Sequence, residues 1–504
     1  MEHAISNLTD LAGIEGLPRF GGGDAAKSRQ MHRSKRAATL ADAIHASGLR
    51  DGGTVSFHHH LRDGDHVLNI VMRQLADLGF RNLHVAASSI FPVHAELVEH
   101  IRSGVVTRIS SAYIAGPVAR AISAGELPHP ALMQTHGGRA RAITQGEITI
   151  DVAFIGAPTA DEFGNLNGST GRSACGPLGY AMVDAEYARH VIAITDTLGL
   201  YPTSPIDIAQ DRVDQVVVVP SIGDPSKIVS GTTRITEDPL SLFIAESAAK
   251  VIEASGLLVD GFSFQTGAGG TSLAVAAKLA EIMRAKGVTG SFAAGGITGS
   301  LVAMLREGLF RTLFDVQCFD LEAVASYRDD PAHMAMSAAL YASPAGKGAI
   351  VDRLDAMILG AAEVDLNFNV NVTAVGGGRI IGGSGGHSDT AAGARLAIVT
   401  TQLTSRDNPK IVTQVECVTT PGATIDVVVT EVGIAVNPAR SDLHQRLVDA
   451  GLNIIPMATL RDLAIEKSGA KLLPSLSDDD RRVVAIVEYR DGSIIDTVRQ
   501  FVAR

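Results

Sequence analysis

The chain has 504 residues, 46% of them hydrophobic, with 52 glycines and no tryptophan; that is length for two or three domains and a composition suited to a glycine-turned α/β protein. Its net charge of −11 excludes a global basic field of the kind that recruits nucleic acid. No apolar run approaches the ~18 residues of a membrane-spanning helix, the Met-Glu-His-Ala start lacks a signal peptide's order, and Cys175, Cys318 and Cys417 form no Cys-x-x-Cys, so a cytoplasmic protein is expected.

Residues 1–36 are glycine-rich and then basic (Lys27, Arg29, Arg33, Lys35, Arg36), which reads as a solvated arm, with docking of a partner or a nucleotide phosphate as the alternative. Ser56-Phe57-His58-His59-His60 then opens a strand–turn–helix–strand stretch that closes at Ile90. On an extended segment His58 and His60 face one way and His59 the other. No His-Glu-x-x-His or Cys-x-x-Cys completes a metal set, so no metal is expected. Two roles stay open for the histidines: packing or capping, and holding a carboxylate-rich substrate or a thioester oxygen with Arg62. Further on, Cys175 reads as a buried small side chain. The 216–219 and 427–429 runs read as strands buried on both faces. Pro202, Pro205, Pro220 and Pro225 suit a linker.

The stretch 261–300 carries the densest signal. An apolar strand meets Gly267-Ala268-Gly269-Gly270, a helix follows with Leu273, Ala276, Ala277, Ala280 and Met283 on one face, and a second strand ends at Gly295-Gly296. This is the order of a βαβ unit. Bare amides at a helix start suit a phosphate or an oxyanion, although neither the dinucleotide fingerprint nor a P-loop is present. Residues 301–308 read as a helix ended by glycine. A second cluster, Gly382 to Asp389, again feeds an alanine-rich helix, and Asp389 either orients a group or stabilises the helix start. Glu431 follows a buried strand, where polar groups line crevices. Residues 483–489 and 493–498 read as a hairpin around Asp491-Gly492.

The chain also resembles itself. Ser56 and Ser263, like Ile90 and Ile297, stand 207 residues apart; Asp151 and Asp365, like Phe154 and Phe368, stand 214 apart; Asp214 and Asp426 form a third pair. The expected fold is α/β, with two related parallel-sheet domains from internal duplication: an arm at 1–36, a first domain at 37–232 and a second at 233–504. Duplicated halves often place a site where they face each other.

The words SFHHHLRDGD, FIGAPTADEFGNLNGSTG, FQTGAGGTSLAVAAKL, GGITGS, GGSGGHSDTAAGA and VVVTEVGIAVNPAR together resemble the coenzyme A transferase superfamily, and within it the alpha subunits of citrate lyases. The resemblance covers about residues 50–440 and implies the NagB/RpiA-like form of the α/β fold. It also implies a reaction: acetyl-acyl-carrier protein plus citrate gives citryl-acyl-carrier protein plus acetate. A beta subunit would then cleave the citryl thioester. A gamma subunit would carry the thiol on a phosphoribosyl-dephospho-CoA arm, and free acetyl-CoA would also serve. No tightly bound cofactor, nucleic acid or membrane is implied, and an oligomer is.

Carried onto these positions, the resemblance makes His59, Thr298 and Glu431 catalytic candidates and His58, His60, Arg62 and Asn165 substrate-binding candidates. The thioester would meet Gly267, Gly269, Gly270, Gly295, Gly296, Ser384, Gly385, Gly386 and Asp389. Related transferases hold a catalytic glutamate where this chain reads Gly295-Gly296-Ile297-Thr298-Gly299-Ser300, so direct transfer in a ternary complex is expected. The alternatives are another short-chain acyl-CoA:carboxylate transferase, a citramalate lyase alpha subunit, an acetyl-CoA hydrolase, and a CoA-binding scaffold without turnover.

Overall fold

The chain builds two mostly parallel sheets whose strand order repeats. The computed structural model describes residues 33–229, 234–469 and 480–502, so most of the expected arm lies outside the described residues. In chain order the strands of the two large sheets are β1 Thr54–Phe57, β2 Leu83–Ala87, β3 Val106–Ser111, β4 Ala131–Met133, β5 Val152–Ala157, β6 His190–Thr195 and β7 Gln215–Val218. There follow β8 Ser263–Thr266, β9 Gly290–Ile297, β10 Phe310–Cys318, β11 His333–Ala335, β12 Ala356–Gly360, β13 Ala397–Thr400, β14 Val427–Val429 and β15 Ile434–Val436. The last two are β16 Val483–Glu488 and β17 Ile494–Arg499.

The first sheet runs β17-β16-β4-β3-β2-β1-β5-β6-β7 and the second β11-β10-β9-β8-β12-β13-β14-β15. Seven strands therefore recur in one order, with β1 and β8 at the centre. Loop devices recur too. Asp161 accepts from the Asn165 amide and side chain (3.1 and 2.8 Å), and Asp365 does the same with Asn369 (3.0 and 3.1 Å). These pairs stand 204 residues apart, which corrects the 214-residue register read from Asp151 and Asp365. The partner of Asp151 is Asp355: each carboxylate accepts the first amide of its sheet's central strand, from Thr54 at 2.8 Å and Ser263 at 3.0 Å.

The hairpin 483–499 forms around its Asp-Gly turn, where Gly492 takes φ 93. It pairs in parallel with β4 of the first sheet, whereas the sequence division assigns it to the second half. The 216–219 run is not buried throughout: Val218 is 37% exposed, because β7 is the sheet's edge.

The helices follow their sequence signals. Helix Pro239–Ala254 starts on Asp238, which accepts from the Ser241 amide at 2.9 Å, with proline in its first turn. Helix Gly270–Lys286 buries Leu273, Ala276, Leu279, Ala280 and Met283 and stops at Gly287, left-handed at φ 66. Helix Gly299–Arg306 ends just before Gly308, φ 77. One core continues from Ile155 and Val191 of the first sheet to Phe264 and Val316 of the second. At Gly179 the halves approach so closely that a side chain would strike the Val316 and Met336 carbonyls. No described helix is long and apolar enough to cross a membrane.

Candidate active site

A cavity of about 760 Å³ opens where the carboxyl ends of both sheets' strands meet, the place where α/β sheets bind ligands. After β1, β2 and β4 come His59, Ser89 and His136; Gly267 and Phe319 follow β8 and β10, and Gly296 lies at the end of β9; residues 383–387 close one wall.

His59 sits at the first sheet's side of this cavity. Its Nδ1 shares a hydrogen bond with Ser88 Oγ at 2.7 Å, and its ring lies 4.8 Å from Tyr180 and stacks on His136 at 6.0 Å. The Gln317 amide donates to the His59 carbonyl, tying β10 of the second sheet to this turn. Burial holds His59 well below the usual histidine range and pushes His136 down to about 3. Both rings are therefore neutral at pH 7. The cations among the lining residues are Arg62 and Lys227, and the carboxylate is Asp63. Arg62 adopts φ 54, a left-handed conformation costing about 1–2 kcal/mol. Its guanidinium lies 4.2 Å from the Phe319 ring centroid and 5.8 Å from that of Phe91, a cation–π clamp. Burial lowers its pKa only to about 10, so it stays charged.

The glycine wall is strapped to the first half. The Gly385 amide donates to the Ala112 carbonyl at 2.9 Å, and the His136 amide donates to the Gly385 carbonyl at 2.8 Å. Asp389 accepts from Thr135 Oγ1 at 2.8 Å and from the Gly137 amide at 2.9 Å.

A smaller cavity of about 430 Å³ lies alongside, lined by Gly269, Gly270, Thr400, Arg406 and Lys410, and shares Gly360 with the first.

The family model for citrate lyase, alpha subunit, matches residues 33–501. The citrate lyase alpha chain of Klebsiella pneumoniae is 47% identical over 98% of this chain and 96% of its own length. The chain belongs to the citrate lyase alpha-subunit family. The Escherichia coli (strain K12) alpha chain is also 47% identical, over 97% of this chain and 95% of that one. The alpha subunit of citrate lyase from Streptococcus mutans, solved in complex with citrate, is similar at 46% identity and TM-score 0.91, covering 95% of this chain and 93% of that chain. More distantly, a Pseudomonas malonate decarboxylase hetero-tetramer shares the fold at 16% identity, TM-score 0.64 and coverage of 88% and 89%.

In this member of the citrate lyase alpha-subunit family the candidates named from sequence separate into groups. His59, Arg62, Gly267, Gly296, Ser384, Gly385 and Gly386 wall the larger cavity, while Gly269 and Gly270 wall the smaller one. His58 and His60 line neither: their rings face each other at 5.4 Å, and His60 Nδ1 pairs with Asp65 at 3.0 Å. They are packing groups, as the alternation along an extended segment requires. Asn165 is committed to Asp161 and Gln210. Thr298 is a buried helix-cap residue off the cavity. Gly295 takes φ 105 and makes room for the Gln265 side chain. Asp389 is fully buried behind the glycine wall. Glu431 accepts from the Leu403 amide at 2.9 Å and from Lys467 Nζ at 2.7 Å, and lines neither cavity.

His136, Tyr180, Gln265, Gln317, Phe319 and Tyr341 escaped the sequence reading. For His136 a signal existed in Thr135-His136-Gly137-Gly138, a third glycine turn opening a helix. The others are ordinary core residue types that tertiary packing brings to the cavity. Among the described residues Asp315, Cys318 and His333 could hold a metal. Their groups already bond one another, at 3.0 Å from Cys318 Sγ and 3.1 Å from His333 Nε2 to Asp315 Oδ2.

Proposed function

We propose that this chain is the transferase subunit of a cytoplasmic citrate lyase complex, exchanging acetate for citrate on the thiol of an acyl-carrier arm. One observation carries the reading: the 267–268 turn, the 384–386 turn, His59 and Arg62, drawn from both halves, wall a single cavity. The Streptococcus mutans relative, solved with citrate, supports the choice of carboxylate. The thiol arrives on a phosphoribosyl-dephospho-CoA arm of a gamma carrier or as free CoA, the chain holds no tightly bound cofactor of its own, and a beta subunit cleaves the product. The two sheet units, 37–232 joined by the 483–499 hairpin and the stretch from 233 to 469, descend from one unit and face each other across the site.

The reaction runs as two acyl substitutions. A citrate carboxylate oxygen attacks the acetyl carbonyl, the C–S bond breaks, and a thiolate and an acetyl-citryl anhydride remain. The thiolate then attacks the citryl carbonyl, and acetate leaves with the bridging oxygen. Arg62 holds a citrate carboxylate; neutral His59 donates or accepts a hydrogen bond without adding charge. Each oxyanion needs amide donors, worth about 3–4 kcal/mol apiece. The Gly267 amide is spent on the Ile358 carbonyl at 3.2 Å and the Gly385 amide on Ala112, so their neighbours Ala268, Ser384 and Gly386 take that role. Alignment and exclusion of water supply the remainder.

Mixing the purified protein with citrate and acetyl-CoA tests this. Acetate and citryl-CoA in equal amounts are expected. Unchanged thioester overturns the reading, and faster turnover of butyrate or 4-hydroxybutyrate than of citrate replaces it with another short-chain transferase.

A further inference from the structure

We propose that Arg490, in the turn of the 483–499 hairpin, is a positioning residue for the transfer, an inference that rests on the transferase reading. Arg490 holds the Asp389 carboxylate, and through it the glycine wall that meets the thioester. The topology brings it there. β16 runs parallel to β4, with Val487 opposite Met133, so both strands leave the first sheet at the edge that carries the site. Residues 135–138, which follow β4, therefore lie beside the hairpin turn. Asp389 stands in the first turn of helix His387–Gly393, which begins just after Gly386, and is fully buried.

A carboxylate taken out of water needs a counter-charge as well as hydrogen-bond donors. Thr135 Oγ1 and the Gly137 amide supply donors to Asp389, at 2.8 and 2.9 Å, but no charge. Arg490, itself only 9% exposed, supplies it. Its Nε lies 3.7 Å from Asp389 Oδ1 and makes no hydrogen bond among the described residues. Both Nη atoms lie 3.4 Å from Asp352 Oδ1, and Nη2 also donates to the Ala342 carbonyl at 3.2 Å, which fixes the guanidinium. The junction is closely packed: a β-carbon on Gly137 would strike both the Ala342 carbonyl and Asp389. Facing Asp389 are Tyr489 and Arg490 from the hairpin, Asp352 from residues 350–353, Tyr341 from helix Ala338–Ala342 and Tyr180 from helix Gly179–Tyr187. Burial raises all three tyrosines above their ordinary value, and His136, beside Gly137, is pushed down to about 3. Among these groups the cation at neutral pH is Arg490. Burial raises Asp389 to about 6, with Arg490 opposing the rise and Asp352 adding to it. Without the guanidinium the carboxyl would hold its proton near neutrality, and one of its two oxygens would turn from acceptor to donor. Either Thr135 or Gly137 would then lose its partner, and the wall its anchor.

The pH profile of kcat, at saturating citrate and acetyl-CoA, tests this. In the parent the acid limb is expected near pH 6. In full-length Arg490→Gln it should move up to about pH 7, because an adjacent cation holds a carboxyl down by about 1 or more. Arg490→Lys, which keeps the charge, should bring it most of the way back. Asp352→Asn, at a side chain 46% exposed, should move it below 6 and leaves the hairpin itself unaltered. In an Asp389→Asn background none of these exchanges should move the limb. An unmoved limb in Arg490→Gln or, where that variant does not fold, in Asp352→Asn overturns the proposal, as does equal movement in the Asp389→Asn background. Urea unfolding across pH follows the same carboxyl without turnover. The pH at which the chain loses stability relative to its Asp389→Asn counterpart should rise when Arg490→Gln is present in both. That rise in a protein that makes no citryl-CoA would sink the transferase reading and leave the contact standing. The same rise with an unmoved kcat limb would make Arg490 structural alone and overturn the proposal.

Discussion

Asp389 and Gly137, 252 residues apart, are joined by a 2.9 Å hydrogen bond from amide to carboxylate. With Thr135 Oγ1 on its other oxygen, Asp389 locks the glycine wall against the turn that carries His136. Burial raises its pKa to about 6, against the pull of Gly137, Thr135 and Arg490 and with the push of Asp352. The folded value exceeds the ordinary 3.8, so its contribution to stability is fully present below pH 3.8 and is lost as pH rises through about 6. The stability of the parent relative to Asp389→Asn should rise between pH 6.5 and 4.5 in urea unfolding. A pH-independent difference would show that the carboxylate is not desolvated.

The buried histidines act in the opposite sense. His58, His59 and His136 all have folded values below 6.5, chiefly through burial. The unfolded chain takes up protons at these positions as pH drops below 6.5 while the folded chain does not. Each then costs up to about 1.4 kcal/mol per pH unit. The contribution of these three histidines to stability should therefore decline below pH 6.5, and nitrogen-15 spectra should show the His59 and His136 rings neutral at pH 5.5.

At Gly296 a β-carbon would intrude on the Phe319 ring, which in turn clamps Arg62. Gly296→Ala should displace both and raise KM for citrate roughly tenfold, about 1.4 kcal/mol, with a smaller change for acetyl-CoA. Equal changes would mean a general loss of fold.

Glu431 is anchored by Lys467 and Leu403 and lies off the transfer cavity. Glu431→Gln should keep turnover within about threefold, and Glu431→Ala should cost about 1–3 kcal/mol of stability by leaving a buried amide unpaired. A loss of turnover by orders of magnitude in the glutamine variant would restore Glu431 as a catalytic candidate.

The sequence made the strand–turn–helix units legible because each is local. The 267–270 turn, the helix after it and its stop at Gly287 are written within some thirty residues, and the 483–499 hairpin announces its own Asp-Gly turn. What the hairpin pairs with is a long-range choice, and β4, some 350 residues earlier, carries no mark of it. The site divides the same way. Glycine turns and the histidine run stand out by composition, but sequence could not say which histidine faces the cavity. Tyr341 accepts from the Gln265 side chain at 2.7 Å across 76 residues of the second half, and Arg62 of the first half is fixed by Phe319 of the second; neither contact is local in sequence. The 214-residue register failed because matching letters in a strand and a loop outweighed the Asp–Asn turn device, which only hydrogen bonds reveal.

Direct transfer is tested most sharply by a single turnover with enzyme in excess over acetyl-CoA and citrate labelled with oxygen-18 in its carboxylates. The bridging oxygen of the anhydride leaves with acetate, so the account predicts acetate carrying one heavy oxygen. Unlabelled acetate in that first turnover would mean that a carboxylate of the protein attacked first, and would contradict transfer from citrate itself.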